Sequence, residues 1–95
     1  MRLTPEEIGI IKSTIEKHLG DVEIYLFGSR TRDDAKGGDI DILIVGKTQL
    51  DLGAIAHIRI DIEDTIGEQR IDILYQKKGS LTPFARLAKM EGVLL

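Results

Sequence analysis

Gly28 and Ser29 follow the apolar run Glu23-Ile24-Tyr25-Leu26-Phe27. A corner of such small residues lets backbone N–H groups and a hydroxyl come close to phosphate oxygens. Asp39 and Asp41 open a second apolar run that continues to Val45. On a strand of period two they project from one face, about 6.5 Å apart, and can share hard divalent cations that also take phosphate oxygens. An anion-binding corner followed by a cation-binding strand describes a site for a metal-bound nucleoside triphosphate. Two carboxylates on such an apolar strand need an explanation, because burying unpaired charge is costly, and bound cations offset that cost. The plainer alternative is a strand end dipping into solvent.

Arg30 and Arg32 are natural partners for β and γ phosphates, because a guanidinium forks onto two oxygens. The two diverge on a helix or turn, so only one faces the site easily, and Arg30 is preferred. The other reading of either is a solvated surface charge. Ser29 also suits the N-cap of a short helix over Arg30 to Asp34, and capping is compatible with a phosphate contact at the same N-terminus. Asp72 is a lone acid among Ile71, Ile73 and Leu74. On its own it could equally be an edge-facing carboxylate.

Gly28-Ser29, then Asp39-Ile40-Asp41, then Asp72 within Arg70-Ile71-Asp72-Ile73-Leu74-Tyr75 occur in an order that resembles the nucleotidyltransferase superfamily typified by DNA polymerase β, and within it the minimal, single-domain members. Each motif alone has many chance matches; the three in order, each beside a strand, are specific. The resemblance runs from Val22 to Gly92, nearly all of the chain outside the first helix. It implies an α/β (α+β) nucleotidyltransferase fold, a small mixed sheet with helices packed on it. It also implies that Asp72 joins Asp39 and Asp41 as a catalytic and metal-holding group.

The implied reaction is attack of a hydroxyl on the α-phosphorus of a nucleoside triphosphate, with pyrophosphate leaving. Two magnesium ions would serve it, one on Asp39, Asp41 and Asp72 and one on Asp39 and Asp41. Gly28, Ser29 and Arg30 would hold the β and γ phosphates in line, and Asp72 could take the acceptor proton. Minimal members look like antitoxins encoded beside a helical HEPN-type toxin, some adenylylating a tyrosine on it. ATP as donor and a partner protein as acceptor follow from that likeness. The alternatives are a non-catalytic module that binds a nucleotide or neutralises a toxin by contact, and a structural or calcium-binding domain.

The elements that must position these residues are legible in the pattern. Thr4-Pro5-Glu6-Glu7 predicts a helix start with a capping box, and Ile8, Ile11, Ile15 and Leu19 recur at helical spacing until Gly20. His18 in the last turn suits the helix dipole or has no role. Glu23 to Phe27 predicts a strand with Tyr25 and Phe27 in the core. On the strand from Asp39 to Val45, Ile40, Ile42 and Ile44 face one side and Asp39, Asp41, Leu43 and Val45 the other, the pattern of a central strand covered on both faces.

Leu50 to Ile66 predicts a helix with Leu52, Ile55, Ile58, Ile62 and Ile66 as its stripe, and with Asp61, Glu63, Asp64, His57 and Arg59 on solvated surface. Length decides against the strand-like alternation at 58–62. Arg70 to Tyr75 is a third strand. Ser80 or Thr82-Pro83 starts a last helix whose apolar side is Phe84, Leu87 and Ala88, ended by Gly92. Val93-Leu94-Leu95 suits one more short strand; left unpaired, it would be an edge inviting a partner or a second copy.

Ninety-five residues predict one domain over 1–95, with no length for an added acceptor-binding domain. Hydrophobic content of 42% and charged content of 31% describe a globular chain. A net charge of −3 disfavours a nucleic-acid partner, which calls for a basic stripe. With no cysteine, disulfides, thiol redox chemistry and zinc–thiolate sites are excluded. The N-terminus lacks a signal-peptide pattern and no apolar run approaches a membrane span, so a soluble, cytoplasmic protein is expected.

Overall fold

The computed structural model describes residues 3–27, 40–67 and 70–95. In chain order the elements are α1 (Pro5–Leu19), β1 (Glu23–Phe27), β2 (Ile40–Gly46), α2 (Leu52–Ile66), β3 (Ile71–Lys77), α3 (Pro83–Glu91) and β4 (Val93–Leu94). The strands form one sheet in the order β3-β2-β1-β4. β2 and β3 run parallel, joined through α2, while β1 is antiparallel to both β2 and β4. This is the expected mixed α/β architecture.

The helix starts are set by local chemistry. The Thr4 hydroxyl accepts from the Glu7 backbone N–H at 3.1 Å and the Glu7 carboxylate accepts from the Thr4 N–H at 3.0 Å, which completes the capping box of α1. Thr82 caps α3 by accepting from Ala85 N–H at 3.2 Å, with Pro83 at the first helical position. Asp51, which the pattern alone did not single out, caps α2 by accepting from Ala54 N–H at 2.7 Å.

Alternation along the strands divides the core in two. Ile24, Leu26, Ile40, Ile42, Ile44 and Ile71 form one face, buried against Ile11 and Ile15 of α1 and Ile58 and Ile62 of α2. Tyr25, Leu43 and Val45 form the other, packed under Ala85 and Ala88 of α3. β2 is therefore covered on both sides, as its sequence predicts.

Three expectations are corrected. Leu52 is 83% exposed, because it lies in the first turn of α2, and that helix buries Ile58 and Ile62 instead. Phe84 and Leu87 are 60% and 50% exposed. The face of α3 that meets the sheet is Ala85 and Ala88, small side chains that let the helix axis come close. The acidic surface expected on α2 is partly engaged: Glu63 accepts from the Ile71 N–H at 3.2 Å and so ties α2 to the start of β3.

The last strand pairs with β1 and forms one edge of the sheet. β4 lies against β1 in the register Leu26 to Val93 and Tyr25 to Leu94, and the Leu95 N–H donates to the Ile24 carbonyl at 2.8 Å. The turn into it requires glycine, since a Cβ on Gly92 would sit 2.7 Å from the Ala88 carbonyl oxygen and 2.9 Å from that of Leu26.

Candidate active site

β2 and β3 enter the sheet together, with the Ile40 N–H donating to the Arg70 carbonyl at 2.9 Å. The parallel register that follows sets Asp41 beside Asp72. Registered residues on adjacent strands project to the same face, and the strands are about 4.8 Å apart. Ile40, Ile42 and Ile71 are committed to the core under α1 and α2, so alternation sends both carboxylates to the face that carries α3. Phe27, the last residue of β1, is the antiparallel partner of Asp41. One row across the sheet thus reads Asp72, Asp41, Phe27, and the residue that precedes Gly28 is the neighbour of Asp41.

Of the residues singled out from sequence, Asp41 and Asp72 are brought together. Gly28, Ser29, Arg30, Arg32 and Asp39 lie outside the described residues. Asp41 is half-buried and the Asp72 side chain is half-exposed at the sheet edge. Two adjacent carboxylates offer an all-oxygen donor set, which fits magnesium with its phosphate-bearing ligands. Among the described residues no three His, Asp or Glu side chains converge as a metal-holding group.

Two residues near this row escaped the sequence reading. Arg70 precedes Asp72 by two positions, and its Nε lies 3.9 Å from Asp72 Oδ1, which puts a guanidinium at the carboxylate row. The i, i+2 spacing on a strand was the signal for it. Phe84 sets its ring 6.0 Å from the Phe27 ring at an interplanar angle of 75°. Its signal was obscured by counting it toward the core.

Away from the row, Tyr25 donates its hydroxyl to Glu23 Oε1 at 2.7 Å. Burial, and next the bond to the Glu23 carboxylate, push the Tyr25 phenol up to about 12. The same bond, helped by Lys89 at 3.4 Å, holds Glu23 below the usual carboxylate range. His18 is not idle at the end of α1, because its Nε2 lies 2.9 Å from Asp61 Oδ2 and its ring meets that of His57 edge-on at 5.3 Å. The His18 bond holds Asp61 below the usual carboxylate range. These contacts join α1 to α2 behind the sheet, on the face opposite the carboxylate row.

The family model for polymerase β nucleotidyltransferases matches residues 10–95. No curated protein matches the sequence. Among solved structures, the chain is similar to a double Asp-to-Glu mutant of the toxin–antitoxin MntA–HpeT, with a TM-score of 0.74 and 20% identity over 93% of this chain and 70% of that one. It is also similar to a structure of the tri-AMPylated Shewanella oneidensis HEPN toxin in complex with MNT antitoxin, with a TM-score of 0.69 and 22% identity over 93% of this chain and 66% of that one. The chain therefore spans about two thirds of the length of these neighbours, and at such identities the likeness is one of fold.

Proposed function

Because the chain belongs to the polymerase β nucleotidyltransferase family, we propose that it transfers AMP from ATP to a hydroxyl on a partner protein, a helical HEPN-type toxin, and acts in the cytoplasm as the antitoxin of that pair. The observation that carries this reading is the register of Asp41 with Asp72 beside the end of β1. It joins two acids, distant in sequence, at the place where the chain continues into Gly28-Ser29. The AMP-bearing toxin in one structural neighbour supports the choice of donor and acceptor class.

In the proposed reaction the acceptor oxygen forms a bond to the α-phosphorus, the bond to the α–β bridging oxygen breaks, and pyrophosphate leaves. Asp72, half-exposed at the sheet edge, takes the acceptor proton. Asp39, Asp41 and Asp72 would hold two magnesium ions, whose chemistry is to neutralise phosphate charge and acidify the acceptor hydroxyl. Gly28, Ser29 and Arg30 would position the β and γ phosphates, with Arg70 at the other side of the row.

The test is incubation of the chain with labelled ATP, magnesium and its proposed HEPN-type partner. The partner is expected to carry the label, and the Asp41→Asn and Asp72→Asn variants are expected to leave it unlabelled. An unlabelled partner alongside an active control would overturn the transferase reading. Neutralisation of the toxin by the Asp41→Asn variant without any label would point to action by contact instead.

A further inference from the structure

We infer that Phe84 is the platform on which the nucleobase of the donor nucleoside triphosphate stacks, an assignment that rests on the donor-binding reading of the Asp41 and Asp72 row. The triphosphate is the charged end of the donor, and the carboxylate row with its cations is where that charge is held. The nucleoside is uncharged and aromatic, so it must lie within its own length of the row, on a surface that offers dispersion contact rather than charge.

The face that carries α3 supplies such a surface. The chain has two Phe, two Tyr and no Trp, so the candidates are few. Tyr75 packs with the opposite core, and its hydroxyl donates to the Thr48 carbonyl. Tyr25 is buried at 8% exposure, with its hydroxyl on Glu23. Phe27 is half-buried in the carboxylate row itself. Phe84 remains, and it is 60% exposed.

Its position is fixed as well as open. The edge-on contact at 6.0 Å anchors the Phe84 ring against Phe27, which is itself the register partner of Asp41. Strands about 4.8 Å apart then put Asp72 one step further along the row. A ring held next to Phe27, the end residue of that row, is placed for the ribose and base of a nucleotide whose phosphates lie over the carboxylates. Leu87, one turn on and 50% exposed, extends the apolar wall. Stacking of this kind recognises that a base is present and tolerates which base it is, because every base has a π-face.

The experiment measures equilibrium binding to the full chain, in magnesium, of two probes: ATP and inorganic tripolyphosphate. Phe84→Ala is expected to raise the dissociation constant for ATP by about 5- to 100-fold, the loss of one base-stacking contact, while leaving tripolyphosphate binding as in the wild type. Phe84→Trp is expected to keep ATP affinity and, as the chain's only tryptophan, to have its fluorescence quenched by ATP and not by tripolyphosphate. Equal ATP affinity in Phe84→Ala and wild type overturns the platform, as does a parallel loss of both probes. If Phe84→Ala does not fold, the Phe84→Trp readout decides, and an indole that ATP leaves unquenched overturns the assignment. A wild-type chain that binds neither probe overturns the donor-binding reading itself.

Discussion

Asp72 and Tyr25 show how differently two polar side chains on the same sheet face can act. The Asp72 carboxylate is half-exposed and Arg70, a cation 3.9 Å from it, is 75% exposed. A solvent-facing pair of that kind adds little to stability. Asp72→Asn is therefore expected to unfold within about 0.5 kcal/mol of the wild type in urea while losing nucleotidyl transfer, a separation of fold from activity that a core residue could not give. Tyr25 is the reverse case. Its phenol rises from 10.0 to about 12 in the folded protein, so the unfolded chain releases its proton first as pH climbs. The stabilisation is fully present below pH 10 and is lost as pH rises from about 10 to about 12. Tyr25→Phe should remove that part of the alkaline fall, and the difference between the two urea-melt profiles across this window is the measurement. Glu23 works in the opposite direction: its depressed carboxyl contributes above its unfolded value, and the contribution fades as pH falls through the folded one.

Single elements were legible where the signal is local. Thr4 and Glu7 lie three residues apart and make their reciprocal bonds within one turn, and Ile40, Ile42 and Ile44 need only strand geometry to share a face. Thr82 is of the same kind: its hydroxyl accepts from the Ala85 N–H, so Thr82→Ala should cost about 1 kcal/mol by removing the cap of α3, measured as a lowered urea midpoint with an unchanged slope. What stayed illegible is which neighbour an element meets. Phe84 and Leu87 recur at helical spacing with Ala88 and look like one apolar side, yet the residues α3 buries against the sheet are Ala85 and Ala88. Leu52 was miscounted for a related reason, since Asp51 beside it starts the helix and leaves the first turn outside the core. For the site, residue types and order indicated Asp41 and Asp72, but their adjacency is a long-range fact created when Ile40 bonds to Arg70 and fixes the register.

At the scale of the molecule, β2 is the part that cannot fail alone. It is bonded to β1 on one side and β3 on the other, and it is buried beneath α1 and α2 on one face and α3 on the other. Ile42, fully buried, lies near its middle and is the chain neighbour of Asp41. A domain of this size has a net stability of order 5–15 kcal/mol, so a single core truncation takes a large share of it. Ile42→Val should cost about 0.5–1.5 kcal/mol and Ile42→Ala about 2–5 kcal/mol, with the excess reflecting a cavity that two packed layers cannot close. By thermal melting, each kcal/mol lowers the midpoint of a domain this small by roughly 4–8 °C. Nucleotidyl transfer by Ile42→Val should remain at temperatures where the chain is folded and should disappear along the melting curve. Asp72→Asn, by contrast, should be inactive while fully folded. If Ile42→Val lost activity well below its melting transition, β2 would be transmitting a shift to Asp41 that does not unfold the sheet, and the two-layer packing would not be holding the carboxylate row as rigidly as its burial requires.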